Sequence, residues 1–144
     1  MLRFDGKSVV VTGSSSGIGK AAAIMFAKQG AKVVVTYGRN RSGADDSVEQ
    51  IKALGGEAIV FGLDVARSSE VDALAAATVE CFGGIDVWIN NAGKVAPPKE
   101  LKDVTDDEWH DMLAVDLDGC FILTAPGLAS RMSRPAASKE RFVA

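Results

Sequence analysis

This 144-residue chain has no run of basic residues, no long apolar run and few cysteines, and each absence removes a class of function. Its net charge is -3 and its lysines and arginines are scattered, which argues against nucleic acid or an anionic membrane surface as a partner. No apolar stretch approaches the roughly 18 residues that a membrane span requires. The two cysteines, Cys81 and Cys120, sit in apolar periodic segments without C-x-x-C spacing, so we expect buried free thiols in a reducing cytosol. The one histidine, His110, has no second histidine or cysteine at ligand spacing, which argues against a metal site. The opening residues 1–5 are too few and too polar for a secretory signal, so a cytoplasmic location is expected.

The composition that remains, 47% hydrophobic and 24% charged, is that of a globular protein, and the length suits one domain. Along the chain, strand and helix patterns alternate. Residues 8–12 form a β-branched run that reads as a strand buried on both faces. A helix follows from Ile18 to Gln29, with Ile18, Ala22, Met25 and Phe26 at helical spacing and Gly30 as its stop. Strands are expected at 31–36, 58–61 and 85–89, and helices at 42–54 and 68–82. Gly55-Gly56 and Gly83-Gly84 end those two helices. Thr105-x-x-Glu108 is a capping box, and it opens a long helix carrying Trp109, Met112, Leu113, Leu117 and Phe121. This alternation predicts a doubly wound parallel sheet of four strands covered by helices, an α/β domain with a C-terminal tail of irregular or helical character.

Ligands of such a sheet bind beyond the carboxyl ends of its strands. Polar and glycine clusters fall in those places. Thr12-Gly13-Ser14-Ser15-Ser16-Gly17-Ile18-Gly19 follows the first strand and Tyr37 to Arg41 the second. Asp64-Val65 follows the third, and Asn90-Asn91-Ala92-Gly93 the fourth. A glycine-rich turn between strand and helix lets backbone N–H groups approach a phosphate, with the helix N-terminus adding positive partial charge. Taken alone the turn has a tight connection as its lesser alternative; the three companion clusters favour a dinucleotide site further.

The motifs Thr12-Gly13-x-x-x-Gly17-Ile18-Gly19, Asp64-Val65 and Asn90-Asn91-Ala92-Gly93 together resemble those of the short-chain dehydrogenase/reductase family, across roughly residues 5–125. The branch with sugar dehydrogenases and 3-oxoacyl-carrier-protein reductases is the most similar. The resemblance implies a Rossmann-type fold binding NAD or NADP. On that basis Thr12, Gly13, Ser15, Ser16, Gly17, Ile18 and Gly19 would hold the pyrophosphate, and Asp64 with Val65 the adenine. Asn91, Ala92 and Gly93 would support the fourth strand beside the nicotinamide ribose.

The coenzyme choice turns on the end of the second strand, where a carboxylate would accept from a ribose 2′-OH and repel a 2′-phosphate. The sequence there is Thr36-Tyr37-Gly38-Arg39-Asn40-Arg41, with no carboxylate before Asp45. Arg39 and Arg41 offer charge-assisted hydrogen bonds to a 2′-phosphate, or are solvated loop charges. NADP is the expected cofactor, with NAD as the alternative, and Tyr37 belongs to the same loop.

Catalysis is where the chain departs from the family, whose proton donor is the tyrosine of a Y-x-x-x-K motif. Ala136-Ala137-Ser138-Lys139 resembles the end of that motif and puts Lys139 in the lysine position, but Pro135 stands in the tyrosine position. Proline has no side-chain donor and cannot act as a general acid. The one tyrosine, Tyr37, lies in the cofactor loop. The family's helix asparagine is replaced by Asp116, which four-residue steps from Met112 to Cys120 place on the apolar face; alternatively it is a helix-turn carboxylate reaching solvent. Only 23 positions separate Asp116 from Lys139, about half of the family's separation. The fifth strand and its serine are not recognisable in between. Ser130 and Ser133 are not promoted to that role.

The expectation is therefore a single dinucleotide-binding domain over 1–144 that lacks the family's C-terminal catalytic part. Hydride transfer between NADP(H) and an unknown alcohol or carbonyl substrate is the class of activity, with this chain incomplete. The alternatives are a dinucleotide-binding pseudoenzyme or a fragment that associates with a full-length relative. The fourth strand, left as an edge, and the long helix are the surfaces through which homo-oligomerisation or such association is expected.

Overall fold

In the computed structural model the described residues are 3–95 and 98–124. They build a four-stranded parallel sheet in the order β3-β2-β1-β4, from β1 (Ser8–Val11), β2 (Lys32–Tyr37), β3 (Glu57–Gly62) and β4 (Val87–Ile89). Each connection carries a helix: α1 (Gly17–Lys28), α2 (Arg41–Ala53) and α3 (Ser68–Phe82). After β4 comes the long helix, which runs as α4 (Asp106–Leu113), a π-helical stretch (Ala114–Asp118) and α5 (Gly119–Thr124). This is the doubly wound arrangement expected of the alternation.

The valine runs are continuous because both faces of the sheet are covered. Val9, Val11, Val33 and Val35 pack against Ala23 and Ala27 of α1 and Ala44, Val48 and Ile51 of α2. Val10 and Val34 point the other way, onto Val71, Leu74 and Ala75 of α3 and Leu123 of α5. Side chains alternate between faces along a strand, so one run of valines feeds two cores. Each such fully buried side chain contributes roughly 1.5–3 kcal/mol relative to exposure.

The helix faces correct several expectations. The buried stripe of α1 is Gly19, Ala23 and Ala27, whereas Ile18 is 82% and Met25 65% exposed. Small residues win the sheet-facing positions because they let the helix axis approach closely. Ala22 and Phe26 flank that stripe, half-buried. Cys81 is exposed and Cys120 half-buried, not buried as expected. On α3 the face Val71, Leu74, Ala75, Thr78 and Phe82 takes the core and leaves Cys81 outside it. Gly83, at φ +80, ends α3 in the left-handed conformation.

β4 begins two residues later than expected, at Val87, although the Asp86 N–H still donates to the Ser8 carbonyl at 3.0 Å. The Asp86 carboxylate turns back to accept from the Ser8 N–H at 2.8 Å, beside the Lys7 ammonium at 3.4 Å. Among the described residues β4 pairs with β1 alone, so it forms an edge there. On the long helix Trp109, Leu117 and Phe121 are largely exposed, and Gly119 and Leu123 are the buried positions. No helix among the described residues is long and apolar enough to cross a membrane.

Candidate functional site

The loops after all four strands meet at the carboxyl edge of the sheet, and a network of hydroxyls and amides ties them together. Thr12 is fully buried at the end of β1. Its hydroxyl donates to the Ile89 carbonyl at 3.1 Å and accepts from the N–H groups of Asn91 at 2.9 Å and Ala92 at 3.0 Å. The Asn91 side chain returns the contact, with Nδ2 donating to the carbonyls of Thr12 at 2.9 Å and Gly13 at 3.2 Å. These are the turn after β1 and the loop after β4 locked into one body.

The three glycines divide their work. A Cβ on Gly13 (φ +66) would stand 2.9 Å from Ala92 Cα, and one on Gly19 would collide with Asn91 Nδ2 and the Gly13 carbonyl. Both are glycines because the β4 loop presses on them. Gly17 (φ +55) has open space where a Cβ would be. Ser16, Gly17 and Ile18 are exposed at the start of α1, and Ser15 is half-buried beside them. The N-cap Ser16 makes no side-chain capping bond, and the first turn holds no acidic residue. A positive helix end with uncommitted donors and no nearby carboxylate in its own first turn suits an anion such as a pyrophosphate.

A second hydroxyl network lies beneath this turn, among residues the sequence did not single out. Thr36, at the end of β2, accepts from the Gly13 N–H through Oγ1 at 3.0 Å, while its own N–H donates to Ser14 Oγ at 2.9 Å. The Ser14 N–H donates to the Thr36 carbonyl at 2.9 Å, and Ser14 Oγ donates to the Val11 carbonyl at 2.7 Å. The available signal was a hydroxyl residue, Thr36, directly after the valine run of the strand. Backbone polar groups of a sharp buried turn need such partners.

Beyond β2, Arg39 and Arg41 are exposed. Arg41 Nε lies 3.6 Å from Asp45 Oδ2, and its guanidinium sits 6.0 Å from the centre of the Tyr37 ring. Tyr37 is half-buried, packs on the first core, and lies over Gly62, where a Cβ would meet its hydroxyl at 3.2 Å. Its ring therefore forms a wall of the loop. Beyond β3, Asp64 is exposed and its Oδ1 accepts from the Ala66 N–H at 3.1 Å, with Arg67 Nε 3.3 Å from Oδ2. Val65 is buried against Gly119, where a Cβ would be 2.9 Å from Val65 Cγ2.

Asp116 is exposed, so of its two readings the apolar-face placement is corrected and the helix-turn carboxylate reaching solvent holds. The π stretch is the reason: its wider turn means that four residues no longer bring the chain back to the same face. The Asp116 carboxylate accepts from the Lys94 N–H at 2.7 Å, and Gly93 passes directly beneath it. The Lys94 ammonium reaches Asp111 at 2.6 Å, and that contact holds the Asp111 carboxyl below the usual carboxylate range, with Arg39 a lesser contributor. Two carboxylates of the long helix thus grip one residue of the β4 loop. Lys139, Pro135, Ser130 and Ser133 lie outside the described residues. Among the described residues no group of three or more His, Cys, Asp and Glu side chains is placed to hold a metal ion. A groove of about 480 Å³ lined by Gly30, Lys32, Gly55 and Glu57 sits at the amino ends of β2 and β3, away from this site.

Comparison with known proteins agrees with this fold. The chain is 44% identical over 117 residues to a 3beta-hydroxysteroid dehydrogenase 1 of Eggerthella lenta, covering 81% of this chain and 44% of that protein. It is 38% identical over 117 residues to a glucose 1-dehydrogenase 2 of Bacillus subtilis, covering 81% of this chain and 45% of that one. The crystal structure of a short chain dehydrogenase from Burkholderia cenocepacia in complex with NADP superposes with a TM-score of 0.83 at 35% identity, over 91% of this chain and 52% of that one. The chain thus spans about half the length of these relatives. Residues 7–138 match the family model for short chain dehydrogenase, and to that family the chain belongs.

Proposed function

We propose that the chain binds NADP(H), with NAD as the weaker alternative, and forms the coenzyme-holding part of an oxidoreductase that exchanges hydride with an alcohol or carbonyl substrate. The observation that carries this reading is Gly17, open and at positive φ on an α1 N-terminus without first-turn acids, braced from below by the Thr12, Asn91, Ser14 and Thr36 network. The residues fit the group: an anion-binding turn, an exposed arginine loop after β2, and the Asp64–Val65 and Asn91–Gly93 loops on the same edge of the sheet. When bound, the coenzyme supplies or accepts the hydride. Ser15, Ser16 and Gly17 would hold its pyrophosphate, Arg39 and Arg41 its 2′-phosphate, and Asp64 its adenine. The Burkholderia cenocepacia neighbour, a complex with NADP, supports the choice of coenzyme.

Chemistry by this chain alone is proposed to be weak. Pro135 occupies the position of the proton-donating tyrosine and brings no side-chain donor to it. Loss of general acid catalysis alone costs roughly 10²–10⁴-fold. The test is a fluorescence titration of the 144-residue chain with NADPH beside a carbonyl-reduction assay. Saturable binding with at most trace turnover is the expected result. Absence of binding defeats the proposal, and robust turnover defeats its catalytic half.

The exposed Trp109, Leu117 and Phe121 of the long helix favour a second element of this reading, association with another copy or a longer relative. Sedimentation checks it: a monodisperse monomer at micromolar concentration counts against association.

A further inference from the structure

Gly43 and Ser47 join the two halves of the site, though neither stands at a strand end. The N-terminal turn of α2 lies directly on the glycine turn: a Cβ on Gly43 would collide with the Ser15 carbonyl and with Asn40 Nδ2. Gly43 is not at positive φ, so a glycine here reflects that close approach rather than a special backbone conformation. One turn later Ser47 is completely buried, and its hydroxyl faces two carbonyls, Gly43 O at 2.7 Å and Ser14 O at 3.1 Å. Asn40 closes the arrangement as N-cap, accepting from the Gly43 N–H at 3.0 Å and from Ser42 Oγ at 3.2 Å. The arginine loop that ends in Asn40 and Arg41 is therefore bolted to Ser14 and Ser15 through the first turns of α2.

We propose that Gly43 and Ser47 are positioning residues that fix the spacing between the arginine loop and the pyrophosphate turn, and so set the preference for NADPH over NADH. The inference rests on the assignment of those two loops under the proposed function. The 2′-phosphate and pyrophosphate of one coenzyme are covalently spaced. Their contacts reinforce each other only if the protein holds both loops at the matching separation before binding. A loosened α2 leaves each loop able to bind its own fragment while losing the gain from binding both. NADH, which makes no 2′-phosphate contact, has little of that gain to lose.

The experiment compares the full chain with Gly43→Ala and Ser47→Ala, titrated with NADPH, NADH and 2′-AMP, with thermal melts in parallel. Gly43→Ala is expected to weaken NADPH about tenfold while NADH and 2′-AMP change less than about twofold, because only linked binding is disturbed. Ser47→Ala should shift the ratio in the same direction by a smaller factor, and it stands as the test if Gly43→Ala does not fold. Proportional weakening of all three ligands would overturn the proposal, since that is general damage to the fold. Unchanged ratios in both variants would overturn it as well. Failure of the unsubstituted chain to bind either coenzyme, or equal affinity for both, would instead bring down the underlying functional assignment and the proposal with it.

Discussion

Thr12 and Asn91 hold each other by a reciprocal pair of hydrogen bonds: the Asn91 N–H donates to the Thr12 hydroxyl at 2.9 Å, and Asn91 Nδ2 donates to the Thr12 carbonyl at 2.9 Å. The Asn91 amide nitrogen is thereby committed to the protein, since its second contact is the Gly13 carbonyl at 3.2 Å. In the proposed coenzyme site its part would be to set the shape of the glycine turn.

Replacing that carboxamide tests the assignment by charge as well as by size. Asn91→Ala removes the donor to the carbonyls of buried Thr12 and half-buried Gly13 and is expected to cost about 1–3 kcal/mol. Asn91→Asp keeps the shape but sets a carboxylate against carbonyl oxygens, so at pH 7 it should be the less stable variant. Its native pKa would be raised above the unfolded value of about 3.9. The penalty is therefore absent well below that value and grows as pH rises through it. Urea midpoints for both variants between pH 4 and 7 check this; an Asp variant equal to Ala at every pH refutes it.

The glycines of the turn should separate by phenotype. Gly13→Ala meets Ala92 Cα at 2.9 Å, and Gly19→Ala meets Asn91, so both should destabilise the fold by several kcal/mol or prevent folding. Gly17→Ala has open space and pays only for its positive φ, about 1–2 kcal/mol. It should melt only several degrees below the parent yet lose most of its NADPH affinity. Equal melting losses across the three would show that this division is wrong.

The sheet was legible because valine runs separated by glycine-stopped helices have few other solutions, and each expected element is present within about two residues. The four strand-end clusters were legible for the same reason, since topology alone brings them to one edge. Which glycine faces a ligand was not, because Gly13 and Gly19 are set by contacts with Asn91 and Ala92, about eighty residues distant in the chain. For Asp116 the solvent-reaching reading held and the apolar-face one failed, because that face was counted in α-helical steps and a π turn leaves no mark in a hydrophobic pattern. The face of α1 slipped by a position because alanine and glycine, weak signals of burial, outcompeted Ile18 and Met25 for the sheet. On α3 the face with Val71, Leu74, Ala75 and Phe82 lies as expected and leaves Cys81 outside it.

The two arginines after β2 should differ in weight. Arg41 shares its guanidinium with Asp45 at 3.6 Å and the Tyr37 face, contacts that a 2′-phosphate would have to share. Arg39 is exposed. Arg39→Ala is expected to cost NADPH binding about 1.5–3 kcal/mol, roughly 10–100-fold, and Arg41→Ala less. NADH binding should hardly respond to either change. Because the loop is exposed, raising the salt should reduce the NADPH advantage in the parent and much less in Arg39→Ala. Titrations with both coenzymes at two ionic strengths measure this, and an equal loss for NADH would remove Arg39 from the 2′-phosphate role.

The start of the long helix should carry an acid-sensitive step. Glu108 accepts from the Lys99 ammonium, from the Thr105 N–H at 2.9 Å and from the Thr105 hydroxyl at 3.1 Å, while its own N–H donates back to Thr105 Oγ1. The Lys99 hydrogen bond, followed by the two from Thr105, pushes its carboxyl down from 4.5 to about 2. A depressed carboxylate stabilises the fold in full above its unfolded pKa, and that stabilisation is lost as pH falls through the interval toward the folded value. The contribution of this cap should therefore be intact at pH 6 and fade between about 5 and 2. Glu108 is a surface group in contact with solvent, so salt should narrow the effect. Glu108→Gln keeps a capping-box side chain but cannot titrate. Its melting temperature should fall below the parent's at pH 6, and the difference should shrink on acidification. A difference that is constant from pH 6 to pH 3 would show that the carboxylate charge does not stabilise the cap.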